Sequence, residues 1–289
     1  MLAEQPFDTG TVTLNVAVGP ANGAPLVLLH GGSGRWQGWE PIVPDLIARW
    51  QIFAPDLRGQ GKSGHVPGNY ALRDYANDIA ALLRERVRAP AVLFGHSLGG
   101  IIALMVAAQC PALVRAVAVG DSPLTAATWH TVLEHDRAGI QLWRDLSGGR
   151  RSYEEIIAAL KDAPVISAPD KPRATRMREV WGEDSPVFDW VATNLFQQDP
   201  DVLGVLLDDF ARAAAGYEME TLLPAIGCRV LLLQADPASG GLMADAEVAR
   251  GLELLARPSH TRLAGVSHIL HNERKEPVLA ALLPFLDSI

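Results

Sequence analysis

The chain has 289 residues, of which 48% are hydrophobic and 20% charged, and its net charge is −8. That apolar fraction excludes a disordered or collagen-like polypeptide. The acidic balance, without a Lys/Arg cluster, argues against nucleic acid or an anionic membrane as partner. At about 150 residues per domain, the length allows one large domain or two. The start, Met1–Pro6, carries neither a basic nor an apolar leader pattern, so no signal peptide is expected. The longest apolar run, Leu98–Ala108, is too short to span a bilayer. Cys110 and Cys228 are the only cysteines and match neither a zinc spacing nor a disulfide framework. The expectation is a cytoplasmic protein with no metal and no other cofactor, its oligomeric state left open.

In chain order, short apolar runs predict strands at Thr11–Val18, Leu26–His30, Gln51–Pro55, Ala91–Gly95, Ala116–Gly120, Val230–Gln234 and Thr261–Leu263. Several are continuous rather than alternating, as strands covered on both faces are. Helical patterns intervene at Trp39–Trp50, Arg73–Arg88, Leu98–Gln109, Ala244–Ala256 and Pro277–Asp287. Strand–helix alternation of this kind predicts an α/β fold with a mostly parallel sheet and helices on both faces. The alternation stops after Asp121. Helix-like stretches follow at Trp129–Asp145, Ser152–Asp162, Pro172–Trp181, Val187–Gln197 and Asp201–Ala215. The expected organisation is therefore a core of residues 1–124 and 223–289, interrupted by an all-helical insertion at 125–222.

Gly95-His96-Ser97-Leu98-Gly99-Gly100 reads G-x-S-x-G and sits between an apolar strand and a helix. A serine on such a sharp turn is presented to a reactant, and flanking glycines let the helix pack tightly on the sheet. The helix N-terminus offers free N–H groups to an anion. His30-Gly31-Gly32-Ser33-Gly34 follows the Leu26–Leu29 strand. Such a loop can aim a backbone N–H at a developing oxyanion, here that of Gly32, with Ser33 as the alternative. The second donor would be the N–H of Leu98, the residue after the serine.

Gly59-Gln60-Gly61-Lys62-Ser63-Gly64 superficially matches a dinucleotide fingerprint, with Asp78 near the offset of a ribose-binding acid. A true fingerprint opens a helix at once, whereas His65-Val66-Pro67-Gly68-Asn69 follows. The phosphate-loop pattern fails as well, because Asp56 stands where its first glycine belongs.

With Asp56–Ser63, Gln234-Ala235-Asp236-Pro237 and Gly265-Val266-Ser267-His268, these motifs occur in an order and spacing that resembles the α/β-hydrolase family. The resemblance covers the chain except Thr125–Leu222, where the family carries a variable helical cap. It implies a Ser–acid–His triad of Ser97, Asp236 and His268, the histidine as base and the carboxylate orienting it. Asp121 is the competing acid and His271 the competing base. His30 and His96, inside motifs, are read as structural. His65, His130, His135 and His260 are assigned surface or packing roles.

The resemblance further implies hydrolysis of a small or medium apolar carboxylic ester or lactone through an acyl-enzyme. Apolar cap surface would form the pocket, so Ser33, Trp36, Trp129, Trp143, Trp181 and Trp190 are candidate substrate contacts. Ser97 argues against epoxide hydrolases and haloalkane dehalogenases of this fold, whose nucleophile is an aspartate. A C–C bond hydrolase, a perhydrolase or cofactor-free haloperoxidase, and a non-hydrolysing ligand receptor are the alternatives. The C–C hydrolases' H-G-G-G-P-G loop and the Trp after their histidine are missing, since Ile269 follows His268. Proline iminopeptidase motifs are missing too.

Overall fold

The computed structural model describes residues 2–165 and 175–289. Strands β1 (Ala3–Asp8), β2 (Thr13–Val18) and β3 (Ala24–Leu29) lead to a short helix α1 (Val43–Leu46) and strand β4 (Trp50–Pro55). Helix α2 (Leu72–Ala81), strand β5 (Ala91–His96), helix α3 (Leu98–Gln109) and strand β6 (Val114–Gly120) follow. Then come α4 (Ala126–His135), α5 (Arg137–Leu146), α6 (Tyr153–Asp162), and a ribbon of β7 (Pro164–Val165) and β8 (Thr175–Arg176). Helices α7 (Met177–Trp181), α8 (Pro186–Gln197), α9 (Asp201–Asp208), α10 (Phe210–Ala213) and α11 (Met219–Leu222) complete this segment. The chain closes with β9 (Arg229–Ala235), α12 (Asp245–Leu254), β10 (Pro258–Leu263) and α13 (Lys275–Asp287).

The main sheet has eight strands in the order β1-β2-β4-β3-β5-β6-β9-β10. β1 and β2 are antiparallel to their neighbours, and the pairings from β4 through β10 are parallel. Apolar residues fill both faces. Leu29, Leu93, Val117 and Leu232 face a core built with α2 and α3, while Leu28, Phe94, Ala118 and Leu233 face Trp39 and α13. Helix α3 is buried along Leu98–Ala107, which explains why its sequence lacks a polar face. A third, smaller cluster lies within residues 126–222, where Leu146, Ile156, Leu160, Phe188, Val191 and Leu195 pack together.

Several elements differ from the sequence expectation. β1 was not anticipated, because an edge strand with Pro6 and alternating exposure lacks the apolar signal of a central one. The expected Trp39–Trp50 helix shrinks to a 3₁₀ turn at Trp36–Trp39 plus α1, since Pro41 and Pro44 supply no N–H to a continuous helix. The expected Arg73–Arg88 helix widens into a π-helix over Leu82–Val87, and the adjacent Leu82 and Leu83 are both buried. The expected Trp129–Asp145 helix breaks at Asp136, where φ is −109° and ψ 25°. The expected Asp201–Ala215 helix breaks at Asp209, whose side chain accepts from the Arg212 N–H and caps α10. The insertion is not all helical, given the β7–β8 ribbon. The start of the expected Pro172–Trp181 helix lies outside the described residues.

Beyond β4 the glycine-rich segment forms a turn, not a nucleotide cradle, and the next helix begins only at Leu72. Asp56 accepts from the Trp36 N–H (2.7 Å), the Lys62 N–H (2.9 Å) and the Asn15 amide (2.9 Å). Asp78 is paired with Arg58 through Nε–Oδ2 (2.6 Å) and Nη2–Oδ1 (2.7 Å), both side chains buried. Removing one partner of a buried pair strands the other charge. Asp78→Ala is therefore expected to cost about 3–5 kcal/mol in urea unfolding; a loss under about 1 kcal/mol, the range of a surface pair, would contradict this.

Candidate active site

Ser97 links β5 to α3 with φ 52° and ψ −119°, a left-handed conformation that costs a side-chain-bearing residue free energy and marks functional sites. Close packing enforces it. A Cβ on Gly95 would lie 2.1 Å from the Gly99 carbonyl oxygen, and one on Gly99 would lie 2.0 Å from that of Leu29. The Ser97 N–H donates to the Gly120 carbonyl (2.9 Å), and the Ser122 hydroxyl donates to the Ser97 carbonyl (2.7 Å). Ser122 was not anticipated from the sequence.

His268 lies on the loop between β10 and α13. Its Nδ1 is 2.7 Å from Oδ2 of Asp121. A carboxylate can only accept, so Nδ1 carries the proton and Nε2 is left as the acceptor. Asp121 ends β6 at φ 44° and is fully buried. It also accepts from the N–H groups of Ala235 (3.1 Å), Leu242 (2.8 Å) and Met243 (3.2 Å). Four donors thus fill the roughly four acceptor sites of one carboxylate.

This corrects the expected acid. Asp236 does not reach His268. Its carboxylate accepts from the Gly265 N–H (2.9 Å) and the Ala238 N–H (3.1 Å), with Arg262 at 3.4 Å. Those two N–H groups and the Arg262 guanidinium hold its carboxyl below the usual range. Asp236 caps the 3₁₀ turn Pro237–Ser239 and ties down the loop that leads to His268.

His271 is buried and stacks on Trp39 with ring centres 4.3 Å apart and planes at 5°. Its Nε2–H donates to the Gly38 carbonyl at 3.0 Å, so it is a packing residue rather than a second base. His30 donates from Nδ1 to the Gly31 carbonyl (2.7 Å) and accepts at Nε2 from the Leu57 N–H (2.9 Å). The neutral ring thereby joins the glycine-rich loop to the turn after β4.

A cavity of about 180 Å³ opens at Ser97. Its walls include Gly32, Ser33 and Leu98 on the core side, and Trp129, Val132, Ile140, Trp143 and Leu206 from the insertion. Among the described residues no charged side chain lines it. Leu98 opens α3, so its N–H has no partner within the helix, and among the described residues nothing else accepts from it. Three expected contacts lie elsewhere. Trp36 is packed on the sheet and donates from Nε1 to Glu4 (2.8 Å). Trp181 is partly exposed against Phe188. Trp190 lies under the Arg35 guanidinium, 4.3 Å from its ring centre, while Arg35 Nε donates to Asn194 at 2.9 Å. Among the described residues no group of three His, Cys, Asp or Glu side chains is placed to hold a metal ion.

The family model described as "alpha/beta hydrolase fold" matches residues 24–146. The 2-(acetamidomethylene)succinate hydrolase of Mesorhizobium japonicum is 37% identical over 141 residues, 48% of this chain and 50% of that protein. The chain thus matches about half the length of that relative. Two crystal structures superpose along nearly the whole chain. That of E-2-(acetamidomethylene)succinate hydrolase has a TM-score of 0.74 at 24% identity, covering 99% of this chain and 100% of the other. The enol-lactonase from Burkholderia xenovorans LB400 has a TM-score of 0.72 at 18% identity, covering 98% and 100%. At these identities the likeness is one of fold.

The buried histidines make stability depend on pH. An imidazole in the unfolded chain titrates near 6.5, whereas burial pushes His271 down to about 4. Between those values the unfolded state binds the proton and the folded state does not. Stability is therefore intact above about pH 6.5, falls as the pH drops toward about 4, and levels off below. The loss from His271 is about 3 kcal/mol. His30 and His96, also lowered by burial, act in the same direction. Urea unfolding at about pH 7 and about pH 4.5 measures it, and His271→Asn is expected to flatten the slope.

Proposed function

We propose that this chain, which has the α/β-hydrolase fold, is a member of that family and a serine hydrolase acting on a compact, uncharged ester or lactone. The observation that carries this reading is Ser97, on its strained turn, opening into an apolar cavity with His268 fixed on Asp121 nearby. A serine hydroxyl is a weak nucleophile until a base takes its proton. His268 Nε2, the ring nitrogen not committed to Asp121, is that base. The Asp121 carboxylate fixes the tautomer and stabilises the imidazolium that forms. The N–H groups of Leu98 and Gly32 receive the oxyanion. Loss of the alcohol leaves an acyl-Ser97, which water activated by His268 then hydrolyses. In this role Asp121 replaces Asp236.

The substrate class follows from the walls. A carboxylate-bearing substrate, such as the succinate in the name of the Mesorhizobium relative, would have to bury its charge where, among the described residues, no Arg or Lys lines the cavity. The volume of about 180 Å³ is below the roughly 300–1,000 Å³ of drug-sized pockets, which supports a short acyl group. The helical segment at 125–222 acts as the cap of this pocket through Trp129 and Trp143.

A fluorophosphonate probe is expected to label wild type at Ser97 and to leave Ser97→Ala unlabelled. Asp121→Asn is expected to lower kcat about 10⁴-fold on a short ester, with Asp236→Asn far closer to wild type. Absence of labelling on folded protein, or the reverse ranking of the two aspartates, overturns the assignment. On p-nitrophenyl esters of rising length, kcat/KM is expected to peak at short acyl chains, and Trp143→Ala to move the peak to longer ones. A peak unmoved by that enlargement would place the acyl group elsewhere.

A further inference from the structure

His96, the residue before the nucleophile, donates from Nε2 to the backbone carbonyl of His268 at 2.7 Å. We propose that His96 is a positioning residue that struts the nucleophile directly to the base, setting where the His268 ring stands relative to Ser97. The inference rests on the serine-hydrolase reading above.

The need for a strut comes from where His268 lies. Ser97 is rigid, locked between β5 and the buried helix α3. His268 is on a loop that passes through Gly265 at φ 66° and Leu270 at φ 45°, with its side chain about a quarter exposed (26%). Loops are the mobile part of a scaffold, and a misplacement of about 1 Å at a catalytic group can cost roughly 10²-fold in rate. Two other side chains restrain the loop before it reaches the histidine. Asp236 accepts from the Gly265 N–H and Glu273 accepts from the Ser267 N–H, each at 2.9 Å. The Asp121 bond holds one edge of the ring. Among the described residues only the His96 bond ties the backbone of residue 268 itself, and it ties it to the neighbour of Ser97. With the ring edge and the backbone both fixed, the swing of the imidazole about its side-chain torsions is confined.

The surroundings of His96 suit this task. Its ring is 4.8 Å from that of His268, tilted by 38°, and edge-on to His271 at 5.9 Å. Gly31 leaves just enough space on the other side, since a Cβ there would lie 3.1 Å from His96 Nδ1. The ring therefore touches the oxyanion-side loop, the turn and the base at once. Burial among histidines keeps it neutral, so the imidazolium that His268 becomes during turnover does not meet a second positive charge.

The test compares His96→Phe, which keeps a ring and loses the donor, with His96→Gln, which keeps an N–H donor. Both are assayed on a short p-nitrophenyl ester, beside fluorophosphonate labelling of each protein. His96→Phe is expected to lose roughly 10- to 100-fold in kcat with KM within about threefold of wild type, and His96→Gln to recover most of the loss. Equal kcat in folded His96→Phe and wild type overturns the strut while leaving the serine-hydrolase reading intact. A wild type that neither labels nor turns over overturns both. Should the variants not fold, ¹⁵N-edited spectra of wild type decide. A neutral His96 protonated at Nε2 supports the strut, and one protonated at Nδ1 overturns it, because that nitrogen does not face the His268 carbonyl.

Discussion

The backbone-to-backbone contact between β5, α3 and β3 is the constraint from which the site is built. At Gly95 and Gly99 no side-chain atom fits between the segments. The chain must therefore reverse within a single residue, and that residue is Ser97. The same closeness brings the loop after β3 alongside the N-terminus of α3, so that Gly32 and Leu98 converge on one cavity. Ser97, Asp121 and His268 are all gathered at the C-terminal edge of a parallel sheet, where the strands end and backbone groups are free to serve loops and ligands.

Around that fixed point the other groups are held by hydrogen bonds rather than by packing. Asp121 is a buried carboxylate whose donors come from three places: the end of β9, the loop after it, and the histidine loop. Asp236, one strand further along, bonds the turn it starts, the loop it faces and Arg262 of β10, but not His268. Both aspartates end parallel strands, and both were weighed as partners of His268 from the sequence alone. What separates them is long-range: the N–H groups of Leu242 and Met243 curl back over Asp121, and no local pattern around residue 121 announces that. The Asp236-Pro237 pair does carry a local signal, that of a turn starter.

The fold was largely readable because its signals are local. Continuous apolar runs separated by amphipathic helices allow few architectures other than a parallel sheet, and G-H-S-L-G-G between a strand and a helix allows few turns. The parts that were not readable depend on contacts distant in sequence. Whether Trp190 meets a ligand or a cation is decided by Arg35, far away in the chain. Whether Trp36 faces the cavity is decided by Glu4 and Asp56, which draw its indole and amide N–H groups. The break at Asp209 needed only a side chain competing with the helix, which hydrophobic periodicity does not register.

The place of Asp121 has a consequence for how such a scaffold can be recombined. Asp121 and the first helix of the insertion, α4, are separated by a handful of residues, and each is pinned. Ser122 holds the turn, the Pro123 carbonyl accepts from Tyr217, and Glu247 accepts from the Leu124 N–H and the Thr125 hydroxyl. The anchor of His268 and the root of the 125–222 segment are one stretch of backbone. A chimera that exchanged residues 125–222 for a foreign cap would therefore not be a neutral graft. It would replace Tyr217 and the Thr125 hydroxyl, and with them two of the tethers that hold the segment carrying Asp121. Exchanging the loop after β9 would not be neutral either, because it carries the Leu242 and Met243 N–H groups that donate to Asp121; the crossovers after β6 and after β9 are therefore tied to one carboxylate, and a cut at either reaches it.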